Sequence, residues 1–235
     1  MPTTPAESNF DADSEFYKTL EDKFRRSRTD VKTRLAAYEA FVDPLSQTLD
    51  SRRVLDLGCG RGELLEFVAE RGFHGAGVDL DHHMVAAARA AGYEVVEGDA
   101  LAFLKQSSSE RFAAITAFHL VEHLPFQTLR QLVAQAHRCI APGGLLIIKT
   151  PDAENPSVGA TTVRMDPMLP YALLDFIESS GFARTKILRL HEEPSVYEKS
   201  NPWLFEILSG ASPDYAIIAQ KSGGSRSLAL DIAFA

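Results

Sequence analysis

Two hydrophobic rhythms alternate along the chain. Short, nearly continuous apolar runs at Arg52–Leu57, Gly75–Leu80, Tyr93–Asp99, Phe112–Ala117 and Leu145–Lys149 have the length and composition of strands buried on both faces. Between them lie stretches of helical spacing. Glu63–Ala69 puts Leu64, Leu65 and Val68 on one face, His82–Ala91 and Ala100–Lys105 follow, and Pro125–Arg138 turns Leu129, Leu132, Val133 and Ala136 inward. Met168–Ser180 is a further helix stopped by Gly181, and Arg184–His191 with Asp214–Gln220 read as the strands of a closing hairpin. Strand and helix in strict alternation predict a doubly wound α/β sheet of seven mostly parallel strands.

Ahead of that pattern, Phe16, Leu20, Phe24, Val31, Leu35, Tyr38 and Val42 recur at three- and four-residue spacings, with Ser14 as a candidate N-cap and Asp43-Pro44 as a stop. Lys23–Arg34 holds six basic residues against the single acid Asp30. This reads as an amphipathic helical arm, either with a solvated basic face or as a lid over a ligand. Ser222-Gly223-Gly224-Ser225 is linker-like, and the last residues read as tail. The division is therefore an arm over 1–50, a sheet domain over 51–221 and a tail over 222–235.

Composition narrows the setting. The chain has 235 residues, 45% of them apolar, enough for one sizeable core with an appendage. A net charge of −8 argues against a general nucleic-acid surface. Two cysteines, Cys59 and Cys139, do not make a disulfide framework, so a reducing cytoplasm is the default. No apolar run reaches the length of a membrane span. Oligomeric state is left open.

The chemistry gathers at the ends of the strands. Asp56-Leu57-Gly58-Cys59-Gly60-Arg61-Gly62 joins the first strand to its helix through three alternating glycines, a turn without Cβ atoms that suits the close approach of a ligand. Asp79 closes the second strand about 20 residues on, the spacing of an acid that grips ribose hydroxyls. Gly98-Asp99-Ala100 closes the third. Three acids thus lie at the carboxyl edge of the sheet, where open α/β sheets bind ligands. Together these residues resemble the class I S-adenosylmethionine (SAM) methyltransferases over roughly Arg52 to Gln220.

That resemblance implies a SAM cofactor held by Asp56, Gly58, Gly60, Asp79, Leu80, Asp99, Ala100 and Phe118, with Met84 either against the adenine or an ordinary core methionine. If the arm, both apolar and basic, is a lid, Tyr17, Phe24 and Arg34 close over the bound cofactor or acceptor. A nicotinamide dehydrogenase would also suit Asp79, but the Gly58-x-Gly60-x-Gly62 spacing and Gly98-Asp99-Ala100 argue against it.

The fourth strand runs into Phe118-His119-Leu120-Val121-Glu122-His123-Leu124-Pro125-Phe126. In this fold the loop lies beside the reactive methyl. His119 is the candidate general base, because a neutral imidazole, with an ordinary midpoint near 6.5, can accept a hydroxyl proton. Glu122 and His123 could orient it. The three could instead hold a divalent metal, although a hard cation prefers oxygen donors and only Glu122 offers one; the base reading, without a metal, is favoured.

Phe24–Arg28, the Phe118–Phe126 stretch and Thr150-Pro151-Asp152-Ala153-Glu154-Asn155-Pro156 together resemble a bacterial branch tied to surface-polysaccharide (O-antigen) synthesis. The branch implies O-methylation of a sugar, a sugar phosphate or a glycan end. The chain departs from it where Asp166-Pro167 runs directly into Met168-Leu169-Pro170, without the branch's histidine loop. A small-molecule O-methyltransferase of phenol or quinone type, or a SAM-binding partner subunit without catalysis, are the alternatives.

Overall fold

The structure, a computed structural model, describes residues 28–153, 168–190, 214–224 and 228–235. Tyr17, most of Phe24–Arg28, Glu154–Pro156 and Asp166-Pro167 lie outside the described residues. In chain order the elements are α1 (Arg28–Leu35), α2 (Glu39–Val42), α3 (Leu45–Thr48), β1 (Arg53–Leu57), α4 (Glu63–Ala69), β2 (His74–Asp79), α5 (His82–Ala90) and β3 (Glu94–Glu97). Then come α6 (Ala100–Gln106), β4 (Phe112–Phe118), α7 (Phe126–Cys139), β5 (Ile140–Pro151), α8 (Pro170–Ser179), β6 (Phe182–Leu190), β7 (Asp214–Lys221) and α9 (Leu228–Phe234).

The seven strands form one sheet in the order β3-β2-β1-β4-β5-β7-β6. β7 is antiparallel to both β5 and β6, and the other pairs are parallel. The strand order reverses on either side of β1 and β4, the switch point at which such sheets open a crevice.

Period-two alternation splits the strand side chains between two layers. Leu55, Leu57, Ile115, Ala117, Ile148 and Ile217 face a core shared with α6, α7 and α8, all nearly inaccessible. Val54, Ala114, Ile147 and Ile218 face the other layer, built from α4, α9 and the N-terminal helices.

Two parts of the predicted organisation are corrected by this packing. Leu35, Tyr38, Phe41, Val42 and Leu45 are at most 4% exposed in the second layer, so residues 35–49 belong to the core and not to a detachable lid. Arg71 fixes them from outside, pairing with Glu39 and with Asp43 (3.0 Å) while stacking on Phe67 at 3.7 Å. The C-terminal residues are not tail either. α9 buries Leu230, sets Phe234 edge-on to Phe41 at 5.6 Å, and bonds Asp231 to Arg184 at 2.8 Å. The predicted turn Ala141–Gly144 belongs to β5, where a register shift against β4 absorbs the irregularity.

Candidate active site

β1, β2, β3, β4 and β5 all end on one edge of the sheet, and that edge gathers the predicted residues. The turn from β1 to α4 has Gly58, Gly60 and Gly62 at φ of 72°, 53° and 86°, in the left-handed region. At Gly62 a Cβ would come within 2.6 Å of the Tyr93 ring, so a side chain is excluded twice, by conformation and by space.

The amides of this turn are used internally: Gly58 and Cys59 donate to the Val78 carbonyl, Gly62 to the Cys59 carbonyl, and Gly60 to Asp79 Oδ2 at 2.8 Å. The expectation of N–H groups aimed at a ligand is therefore corrected for these four positions. What its glycines allow is this left-handed path and the close packing of Leu120 and Tyr93 against the turn.

Asp79 lies in the mouth of that turn. Its Oδ2 accepts from Gly60 and its Oδ1 from the Asp81 amide, also at 2.8 Å. Each oxygen keeps a further lone pair, and the two backbone amides fix the orientation of the carboxylate. Leu80 beside it is 71% exposed, an apolar wall at the site. Met84 is 8% exposed, a core methionine on α5 whose amide is capped by Asp81. Asp99 caps α6, its Oδ1 accepting from Ala102 at 2.8 Å, and the residue remains exposed at the β3 end, with Ala100 opening the helix.

Asp56 lies deeper. It is 4% exposed beneath the turn and accepts the Thr116 hydroxyl at 2.6 Å. Burial pushes its carboxyl up to about 7; the Thr116 bond opposes this, and the charges of Asp79 and Glu63 add to it. The carboxyl thus supports the turn from below. Burial likewise pushes the Cys59 thiol far up, so the cysteine in the turn is inert.

The second cluster surrounds His119, at the mouth of β4. Its φ is 52°, its amide donates to the Lys149 carbonyl at 2.9 Å, and its ring is 45% exposed. Nδ1 lies 3.3 Å from Glu122 Oε1, and Nε2 lies 3.6 Å from Asp214 Oδ2. Glu122 is buried, in a single helical turn over Val121–His123, and takes the Thr150 hydroxyl on Oε2 at 3.0 Å. Lys149 pairs with Asp214 at 2.9 Å.

His123 is exposed and makes no side-chain hydrogen bond or ion pair among the described residues, so its predicted orienting role is corrected. The reason is local. The tight turn sends Glu122 inward and His123 to solvent. Glu122 and Asp214 face opposite ring nitrogens, an arrangement in which one cation could not engage both carboxylates and the imidazole. Among the described residues no three side chains converge as a cation site.

Phe118 is half-buried, its ring 5.1 Å from that of Tyr38. Tyr38 was not singled out as a site residue. Its hydroxyl is buried with no hydrogen-bond partner among the described residues, and burial first, Asp214 second, push it up. Arg34 lies half-exposed on α1. Asp214, Lys149, Thr150 and Tyr38 are thus the additions that the structure makes to the predicted cluster. Among the described residues, no helix is long and apolar enough to cross a membrane.

Comparison with known proteins gives these clusters a context. A family profile described as a methyltransferase domain matches residues 27–183. The chain is 31% identical over 172 residues to a ubiquinone biosynthesis O-methyltransferase of Dechloromonas aromatica, covering 66% of this chain and 71% of that protein. It is 33% identical over 115 residues to the protein of the same name from Hahella chejuensis, covering 47% of each, so it spans about half the length of that relative. A SAM-dependent methyltransferase from Archaeoglobus fulgidus superposes with a TM-score of 0.73 at 28% identity, over 88% of this chain and 100% of that one.

Proposed function

The chain belongs to the SAM-dependent methyltransferases, and from that premise we propose that it methylates a hydroxyl oxygen on a small, uncharged acceptor, with His119 as general base. The single observation that carries this reading is the imidazole standing at the mouth of β4 with a carboxylate beside each ring nitrogen.

The residues at the β1 to β3 ends fit the cofactor. Asp79 offers two fixed oxygens to the ribose and Asp99 an exposed carboxylate to the adenine amino group, with the Ala100 amide beside it and Leu80 as an apolar flank. Gly58, Gly60 and Phe118 border the methionine end, and Asp56 holds the turn from beneath. Arg34, with Tyr17 outside the described residues, is proposed to close over the ligands. Bound SAM supplies a methyl group on a sulfonium, already activated for in-line displacement by an oxygen.

The protein then has to align and deprotonate. Alignment of two bound reactants can supply several kcal/mol. For deprotonation, the Nδ1 side of His119 faces buried Glu122, which favours the ring proton there and leaves the Nε2 lone pair towards the open mouth. The acceptor O–H bond would break with its proton going to His119 Nε2, and the oxygen would take the methyl carbon as the carbon–sulfur bond of bound SAM breaks and the sulfur leaves as a neutral thioether. The resulting imidazolium is met by two carboxylates. A positioned base of this kind contributes about 10²–10⁴ in rate.

The negative charges of Glu122 and Asp214 disfavour a phosphate oxygen at this point. The names of the relatives support a phenol- or quinol-type acceptor, and the stretches shared with the polysaccharide branch favour a sugar or glycan hydroxyl as the second reading. The test is methyl transfer from labelled SAM to a panel of catechols, quinols, methyl glycosides and nucleotide sugars. Transfer to a hydroxyl is expected, and His119→Ala should lower turnover by about a hundredfold or more while cofactor affinity changes little. Full activity in His119→Ala would remove the base. Activity lost to a chelator and restored by a divalent metal would replace it with metal chemistry.

A further inference from the structure

We propose that Asp214 is a positioning residue for His119, delivered to the site by the reversed direction of β7; the role rests on the reading of His119 as base. β7 runs antiparallel to β5, so its first residue, and not its last, reaches the carboxyl edge. The register pairs Asp214 with Pro151, two residues beyond Lys149. Lys149 then holds both halves of the arrangement. Its carbonyl receives the His119 amide at 2.9 Å, fixing the left-handed backbone from which the ring projects, and its ammonium receives Asp214 at 2.9 Å.

A ring that is 45% exposed would otherwise exchange rotamers freely. The groups facing it from the packed elements are Glu122 from the turn after β4, Asp214 from β7 and Lys149 from β5, with the Tyr38 hydroxyl within reach of the Asp214 charge. Glu122 is buried at one end of the ring and Asp214, 15% exposed, stands at the other. At 3.6 Å the Nε2 to Oδ2 separation is longer than a hydrogen bond, so the Lys149-bound carboxylate leaves the Nε2 lone pair free. It is short enough to pair with the charge once the proton has arrived.

The experiment reads the ring itself. The full chain is treated with diethylpyrocarbonate near neutral pH, and carbethoxylation of His119 is followed by peptide mass spectrometry against the exposed His83 and His74 as internal references. Wild type, Asp214→Ala, Asp214→Asn and Asp214→Glu are compared. Removal of the carboxylate should free the ring to sample more open rotamers and raise the His119 to His83 rate ratio about fivefold, and Asp214→Glu should restore the wild-type ratio. The isosteric Asn variant carries the test if Ala disturbs the fold. An unchanged ratio in Asp214→Asn, or a faster ratio that Asp214→Glu does not restore, overturns the proposal. The readout needs no methyl acceptor. A raised ratio together with a fully active His119→Ala would refute the base and leave the contact standing.

Discussion

Replacing Asp56 by Asn removes a carboxyl that the fold buries beneath its glycine turn, and the effect depends on pH. Burial raises that group from 3.8 to about 7 in the folded protein. In the unfolded chain it ionises with an ordinary midpoint near 3.9. Between those values the folded state holds the extra proton, so stability falls as pH rises: the contribution is fully present below about pH 4 and lost as pH climbs through about 7. At about 1.4 kcal/mol per pH unit, the ceiling is about 4 kcal/mol.

Asn keeps an oxygen for the Thr116 hydroxyl, which donates to Asp56 at 2.6 Å, but it brings an amide N–H₂ whose burial carries a pH-independent cost of about 1–3 kcal/mol. The diagnostic quantity is therefore the change in the difference between the two proteins. Urea unfolding of the cofactor-free proteins at about pH 5, 6, 7 and 8 should show Asp56→Asn gaining on wild type by about 2–4 kcal/mol across the series. A difference that is flat with pH refutes the reasoning, because it would mean that Asp56 ionises as readily in the fold as in the unfolded chain.

Asp79→Ala should weaken SAM binding about tenfold or more in calorimetric titration, since a charge-assisted bond contributes roughly 1.5–3 kcal/mol; unchanged affinity would take Asp79 out of the site. Tyr38→Phe removes a buried hydroxyl that has no hydrogen-bond partner among the described residues, so thermal unfolding should show stability unchanged or raised by about 1 kcal/mol, and a loss would reveal a partner. Ending the chain at Gly224 deletes α9 with Leu230, Phe234 and the Arg184 to Asp231 bond, and denaturant midpoints should report about 2–4 kcal/mol lost.

The parallel half of the sheet was legible because its strands are dense apolar runs bounded by glycines and acids, so a strand end and a candidate residue are the same position, and the placement of Asp79, Asp99 and His119 at the sheet edge follows directly. The predicted tail was misread because α9 is only seven residues behind a Ser-Gly-Gly-Ser stretch, and so short a helix is made by docking against Phe41 and Arg184 and not by its own periodicity. Asp214 was invisible for a different reason. Nothing local to Asp214–Gln220 states which way that strand runs, and its direction alone decides which end meets His119. Glu122 and His123 were not separable by spacing, since the burial of one and the exposure of the other is set by a three-residue turn.

The placement of β7 between β5 and β6 also orders assembly in time. β6 pairs with β7, so on a growing chain it has no sheet to join until residues after Asp214 have been made. Until then the edge of β5, with Leu145, Leu146, Ile147 and Ile148, stands open as an apolar template for another chain. A ribosome adds roughly 5–20 residues each second, so this exposure lasts on the order of seconds, and nascent or truncated chains that stop short of β7 are the forms most exposed to aggregation. One late strand thereby closes the sheet, shields its stickiest edge and delivers the last carboxylate to the histidine.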